Sequence, residues 1–268
     1  DNNTVNDNGA TYVGWSWRAG GNKNTFNVDG VGYATAAAAG LTAGSMSPTG
    51  ASVGTKQGFS IIGYTGNGSS GTMPHGLNQA PTFVVAKNRD ASANWFIFSP
   101  ELGSNGALQF SANAEYTANP IGINATSSTT FTLGGARGET NTSNEDYIAY
   151  LWHDVPGLQK FGKYSGTGSS GNFIELGFRP ALLMIKSTGA YGWAIVDTTR
   201  SDYNVKVASL YPNKNDAEYT GSGHEIDYLS NGFNLRNSND RFNKSSTDYI
   251  YAAWAEAPSI DLYGGGAN

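Results

Sequence analysis

Two stretches of the chain carry the spacing of a dinucleotide-binding loop. Gly66-x-Gly68-x-x-Gly71 and Gly166-x-Gly168-x-x-Gly171 both match G-x-G-x-x-G. That chemistry needs a helix directly after the glycines, so that its N-terminus meets the pyrophosphate. Thr72-Met73-Pro74 follows one stretch and Asn172-Phe173-Ile174 the other. Both continuations read as strand or loop, so the glycines are expected to make hairpin turns. Gly157-x-x-x-x-Gly162-Lys163 approaches a P-loop, but Tyr164 stands where Ser or Thr should hold magnesium. Gly50-Ala51-Ser52-Val53-Gly54 has the G-x-S-x-G form of a nucleophile elbow. An elbow needs a buried strand before it and a helix after it. The glycine-rich, linker-like surroundings of Ser52 supply neither.

The other reactive side chains are scattered. His75, His153 and His224 are the only histidines, and none has another at metal-ligand spacing. Each is expected to be a surface or hydrogen-bonded histidine. Glu101, Glu175, Asp197 and Asp227 lie near expected strands without a motif to present them as an acid–base pair. Asp146 and Asp248 precede matching strands and read as turn carboxylates that accept from backbone N–H groups. Asn237-Ser238-Asn239-Asp240 is rich in oxygen donors, but not at EF-hand spacing. The sequence therefore marks no catalytic residue, no cofactor site and no metal site, and the chain is not expected to be an enzyme. Tyr191, Tyr203 and Tyr211 are the candidate ligand-binding residues. They stand among Asp202, Asn204 and Asn213, and aromatic rings beside short polar side chains suit sugar stacking. They suit a subunit interface equally well.

What must position all of these is a duplicated scaffold. Tyr64-Thr65-Gly66-Asn67-Gly68-Ser69-Ser70-Gly71 returns one hundred positions later as Tyr164-Ser165-Gly166-Thr167-Gly168-Ser169-Ser170-Gly171. PTFVVAK from Pro81 answers PALLMIK from Pro180, and Trp95 with Ile97 answers Trp193 with Ile195. Phe131-Thr132-Leu133 answers Phe233-Asn234-Leu235, and the segment from Asp146 to Trp152 answers that from Asp248 to Trp254. A fixed period of this kind reports architecture. Residues shared by the copies are expected to be scaffold, and residues that differ mark where function can sit. The shared Trp95, Trp193, Trp152, Trp254, Tyr147 and Tyr249 are accordingly assigned to the core.

Composition agrees with short strands joined by turns. The 268 residues include 36 Gly, and only 14% are charged against 12% aromatic, too few helix formers for a helical protein. The fold expected is all-β: two tandem antiparallel β-sandwich modules over residues 58–157 and 158–259. Residues 1–57 would form an N-terminal strand (Tyr12–Trp17) and an extended Gly/Ala/Thr-rich arm or linker, and residues 260–268 a flexible tail. Phe83–Ala86 and Leu182–Ile185 are continuous apolar runs, so each is expected to be a central strand buried on both faces. A net charge of −5 without a Lys/Arg cluster argues against nucleic acid. No apolar run reaches the length of a membrane span, and no secretory signal is legible. The absence of Cys excludes disulfides, zinc–thiolate sites and thiol catalysis. Sequons at Asn67, Asn124, Asn141 and Asn243 are the number that chance gives in a chain this rich in Asn, Ser and Thr.

The order YVGWSWRAGG, GFSIIGYTGNGS, YSGTGSSG, GFRPALLMIK, LSNGF and DYIYAAWAEAP covers nearly the whole chain. It resembles a tandem β-module of bacteriophage virion proteins, common in marine and cyanobacterial phages. There the module often stands C-terminal to laminin-G or concanavalin-like sandwiches. The resemblance implies a structural or adhesive component of the virion surface: a tail fibre, spike or appendage used in assembly and host attachment. It implies a homo-oligomer, with a trimer the arrangement of a fibre, contacting other virion proteins and a host-surface glycan. It supplies no catalytic residue. A carbohydrate-binding module and a capsid decoration protein are the rival readings. A glycan depolymerase is the least supported, because no carboxylate pair is marked out.

Overall fold

The computed structural model describes residues 8–103, 106–110, 117–118 and 121–257. The tail expected over 260–268 and the last residues of the second module lie outside them. The first part of the chain forms β1 (Phe26–Val28), β2 (Val31–Tyr33), β3 (Gly50–Gly54), β4 (Phe59–Thr65), β5 (Gly71–Pro74) and β6 (Phe83–Asn88). It continues with β7 (Phe96–Phe98), β8 (Gly106–Gln109), β9 (Thr117–Ala118), β10 (Ile123–Thr126), β11 (Thr130–Leu133) and β12 (Asp146–Trp152). The second part forms β13 (Gln159–Ser165), β14 (Asn172–Glu175), β15 (Pro180–Ser187), β16 (Ala194–Asp197), β17 (Ile226–Leu229), β18 (Gly232–Leu235) and β19 (Asp248–Ala255). Among the described residues the only helical element is a single 3-10 turn at Pro100–Leu102, so none of these could cross a membrane as a helix.

The duplication is visible in the strand order. The main sheet of the first module contains β4-β12-β6-β7, and that of the second is β13-β19-β15-β16. The facing sheets are β10-β11-β5 and β17-β18-β14. Each pair of sheets encloses its own core. Tyr64 pairs with Tyr147 across β4 and β12, and Tyr164 with Tyr249 across β13 and β19. The paired rings stack at 5.3 Å and 5.0 Å. Phe131 and Phe233 on the facing sheets meet Tyr64 and Tyr164 edge-on at the same 6.0 Å.

The glycine motifs are turns. Gly66 approaches so closely that a Cβ there would lie 2.2 Å from the Thr142 carbonyl oxygen; at Gly166 the distance is 2.1 Å from that of Lys244. Gly68 and Gly168 take the left-handed conformation, at φ 71° and 69°, that glycine adopts without cost. One buried asparagine clamps each turn. Asn141 Oδ1 accepts from Asn67 N–H at 3.0 Å while its Nδ2 donates to Ser69 O at 2.8 Å. Asn243 does the same for Thr167 N–H at 2.9 Å and Ser169 O at 2.7 Å. Both sequon asparagines are fully buried. Asp146 and Asp248 differ from expectation. They accept the hydroxyls of Thr65 (2.7 Å) and Ser165 (2.6 Å) on the neighbouring strand.

Two expectations for the N-terminal region are corrected. Tyr12–Trp17 alternates like a strand but joins no β-ladder among the described residues. Residues 18–57 are not an extended arm. They contribute β1, β2 and β3, which extend the main sheet of the first module beyond β4 in the order β2-β1-β3-β4. The β1–β3 pair is parallel, within an otherwise antiparallel sheet. The sparse apolar residues explain the difference. Phe26, Leu41 and Val53 are buried in the first module's core, and Ala36 and Ala39 pack against it. Small residues permit the fit: a Cβ on Gly20 would lie 2.0 Å from the Val53 oxygen. Ser52, of the elbow-like motif, lies within β3. Its Oγ donates to Gly21 O at 2.7 Å and accepts from Gly21 N–H at 3.1 Å.

The two main sheets pack back to back. β6 and β15 are central strands, as their unbroken apolar runs require. Val84 and Ala86 point into the first module's own core, while Phe83 and Val85 join a third cluster with Leu182, Met184, Ile250 and Trp254 of the second. This follows from the two-residue period of a strand, which sends alternate side chains to opposite faces. Gln159 holds the junction: its buried Nε2 donates to Gln57 O, Gly58 O and His153 O at 2.8–3.1 Å. Trp193 Nε1 crosses the interface to Gln109 O at 2.9 Å, and the Trp193 ring stacks on Phe110 at 4.7 Å.

Candidate functional site: an aromatic cavity between the modules

The back-to-back packing leaves a cavity of about 610 Å³. Side chains of one strand face build most of it. β4 supplies Phe59 and Ile61, β6 Phe83 and Val85, β12 Tyr150 and Trp152. The opposite wall comes from Leu182 and Met184 of β15, Ile195 of β16 and Trp254 of β19. Irregular segments complete it with Trp15, Trp17, Trp95, Phe110 and Pro212. Five of the chain's six tryptophans therefore line one space, and among the described residues no charged side chain does.

Three of these tryptophans form a triangle of edge-on contacts. Trp17 lies 6.1 Å from Trp152 and 5.1 Å from Trp254, and Trp152 lies 6.2 Å from Trp254, with interplanar angles of 60–74°. Each ends a segment that begins with a tyrosine five residues earlier: Tyr12, Tyr147 and Tyr249. The irregular Tyr12–Trp17 segment so delivers its last residue to the place where the closing strands of both modules deliver theirs. Phe59 stacks on Trp152 at 4.6 Å and fixes that ring from the other side. The indole N–H groups of Trp15, Trp152 and Trp254 are buried without an oxygen or nitrogen acceptor. For Trp152 and Trp254, edge-on contact with neighbouring rings is the compensation this aromatic setting offers. At the mouth, Trp17 and Trp95 remain 37% and 38% exposed. The assignment of Trp95 to the core is thus corrected. Its counterpart Trp193 is 1% exposed because it is pressed between the modules, whereas the Trp95 ring lies at the cavity mouth beside Tyr150, at 6.3 Å.

The three tyrosines singled out in the sequence occupy different environments and do not form one site. Tyr211 is buried in the second module's core, with the Arg241 guanidinium 4.3 Å above its ring. Burial raises its pKa. Tyr191 is half-buried, and its hydroxyl accepts from Lys244 Nζ at 3.0 Å. Only Tyr203, 84% exposed, is free to stack on a ligand.

The titratable groups serve the interior. His75 accepts from Leu77 N–H at Nδ1 (3.0 Å), so its Nε2 carries the proton and donates to Ser127 O at 3.0 Å. Burial lowers its pKa to about 4. His224 is enclosed by Tyr219 at 4.1 Å and Phe242 at 4.9 Å, and burial, then Arg241, lowers its pKa to about 4. His153 is likewise lowered by burial. These are hydrogen-bonded interior histidines rather than surface ones. Asp197 is buried and holds Arg200, with Nε 2.7 Å from Oδ2. Asp227 faces Arg236 at 3.5 Å. In the Asn237–Asp240 turn, Asn237 and Asn239 accept from the backbone N–H of Asn239 and Arg241. Among the described residues no three His, Asp or Glu side chains converge as metal ligands would.

The cavity was legible only in part. The both-face apolar runs of β6 and β15 signal that something covers their outer faces. Nothing in their spacing says that each covers the other. No curated protein and no solved structure matches the chain. The model of a family described as a domain of unknown function (DUF7483) matches residues 1–258, and the chain belongs to that family.

Proposed function

We propose that this chain is a structural and contact component of a bacteriophage virion surface, working by assembly and binding rather than by catalysis. The observation that carries the binding reading is the cavity itself. It is the place where side chains from both modules and the N-terminal segment meet, and among the described residues its walls offer aromatic and aliphatic contact area with the Tyr150 hydroxyl as their one side-chain oxygen. Duplication supports the structural role. Two sandwiches fused through the outer faces of their main sheets make a stiff block, suited to bearing load and to repetition on a particle. The likeness of the sequence to phage virion modules supports the particle, and a fibre, spike or appendage made of several copies is the setting that likeness favours.

Gold-labelled antibody against the purified chain, applied to intact particles of the phage that encodes it, tests this reading. Label on tails or fibres is the expected result, and label over the head would make the chain a decoration protein. Particles without label and without its peptides in mass spectra would refute the proposal. The glycan-contact variant of the reading has one residue to stand on, Tyr203. Its replacement by alanine should abolish any polysaccharide-dependent change in fluorescence.

A further inference from the structure

We propose that the cavity between the modules binds an apolar chain, a fatty acyl tail, and not a sugar. This rests on the reading of the cavity as a contact site, but not on where in a particle the chain sits. The volume of about 610 Å³ falls in the range of small-molecule sites. Wall chemistry then selects the ligand. A sugar exchanges its hydration for hydrogen bonds, and each hydroxyl buried without a partner costs about 1–3 kcal/mol. Here the described walls are aliphatic and aromatic, and the Tyr150 hydroxyl is the one side-chain oxygen among them, too few partners for the several hydroxyls of a sugar. The buried indole N–H groups of Trp15, Trp152 and Trp254 are closed off from solvent, so a sugar oxygen cannot reach them as the side chains stand. An acyl chain makes no such demand. It gains dispersion contacts and loses only its exposure to water.

The strand-borne walls cannot close on each other to fill the space. Ten of the fifteen wall residues stand on ladder-bonded strands of two sheets held apart by the Gln159 junction and the Trp193–Gln109 bond. A protein partner fits less well. A specific protein interface buries about 800 Å² on each side. Among the described residues, Trp17 and Trp95 are the large exposed apolar side chains at the mouth. The others, such as Phe173, Leu229 and Val31, do not line the cavity and offer no apolar rim around it.

The test uses the full chain and cis-parinaric acid, a polyene fatty acid that absorbs where tryptophan emits. Saturable energy transfer at one probe per chain, displaced by decanoic acid and not by maltohexaose, is expected. Ile61→Phe places a ring into the cavity from a half-buried position and should weaken binding about tenfold. Trp95→Ala, at an exposed position that folding tolerates, should weaken it severalfold. Circular dichroism confirms that both variants are folded. No saturation below the micelle-forming concentration would overturn the inference, as would displacement by maltohexaose or unchanged affinity in both variants. Such a failure in a chain still detected on particles removes the ligand and leaves the virion proposal standing.

Discussion

The two modules share a strand order, a stacked tyrosine pair and an asparagine-clamped turn, yet they finish their sheets differently. In the first, β4 receives β3 along its outer edge, and β7 receives β8 and β9. In the second, β13 and β16 are the outermost strands of the main sheet among the described residues, and short bridges such as Ile195–Leu210 stand beside β16. The shared Trp95 and Trp193 have parted in the same way, one at the mouth of the cavity and the other pressed between the modules. Duplication fixes what lies between the sheets of each sandwich. What lies outside is set by whatever each copy leans on, and there the copies have diverged.

The sharpest test of that contrast is the tryptophan pair. Trp193→Ala removes a buried ring, its stack on Phe110 and the bond to Gln109 O. A loss of about 3–5 kcal/mol in urea unfolding is expected. Trp95→Ala should cost under about 1 kcal/mol, because the ring is partly solvated already. Equal losses would mean that the two positions are still equivalent and that the contrast is mistaken.

The turn clamps should show near-equivalence instead. Asn141→Ala and Asn243→Ala each leave buried backbone groups unpaired, at about 1–3 kcal/mol. Asn243 belongs at the upper end. It also donates to Asn237 O at 2.7 Å and accepts from Asn172 Nδ2 at 2.8 Å. If Asn141→Ala proves the more damaging in thermal melts, the extra partners of Asn243 contribute nothing.

Acid should weaken both modules. His75 in the first and His224 in the second are held neutral, each with its pKa lowered to about 4 by burial. The unfolded chain takes up protons near the ordinary histidine value, so this contribution is whole above about pH 6.5 and is lost as the pH falls toward 4. For fully buried His75 the loss is roughly 1–2 kcal/mol by pH 5. His75→Gln should flatten the pH profile of stability between 6.5 and 4.5, and a profile as steep as that of the parent chain would remove His75 from the account.

How much of this the sequence reveals depends on whether the cause is local. The repeat, the all-β class, the central strands β6 and β15 and the glycine turns are written in periodicity and spacing, and all are present. The strands of residues 18–57 are hidden because only seven large apolar or aromatic side chains sit among forty residues rich in glycine and alanine. Their strand character comes from an existing edge, β4, and not from their own propensity. Tyr12–Trp17 errs in the other direction: its alternation sends Trp15 and Trp17 into the cavity wall without joining a ladder among the described residues. Tyr211 looked like Tyr203 in composition, yet one is core and the other surface, since the bridge from Leu210 to Ile195 draws only the former inward. The cavity needs two distant faces, and no local pattern records their meeting.

The smallest effect on stability concerns the edge of β13, which takes no further strand among the described residues. An uncovered edge strand invites pairing with another chain. Here four of its outward backbone groups are already engaged. Asp154 Oδ1 accepts from Phe161 N–H at 2.9 Å, Gln159 exchanges both backbone bonds with Val155 at 3.0 Å, and Ser165 O accepts from Asn172 at 3.1 Å. Lys163, its side chain 43% exposed, adds a charge that an incoming strand would have to bury. On β4 the equivalent groups pair with β3, so no such devices are needed there. Lys163→Val should therefore change unfolding by under about 0.5 kcal/mol, as surface substitutions do. It should nonetheless shift sedimentation toward dimers as concentration rises, and more so when combined with Asp154→Ala. If both variants sediment as the parent chain does, the edge is closed by something other than these side chains, and the difference between β4 and β13 is one of history rather than of protection.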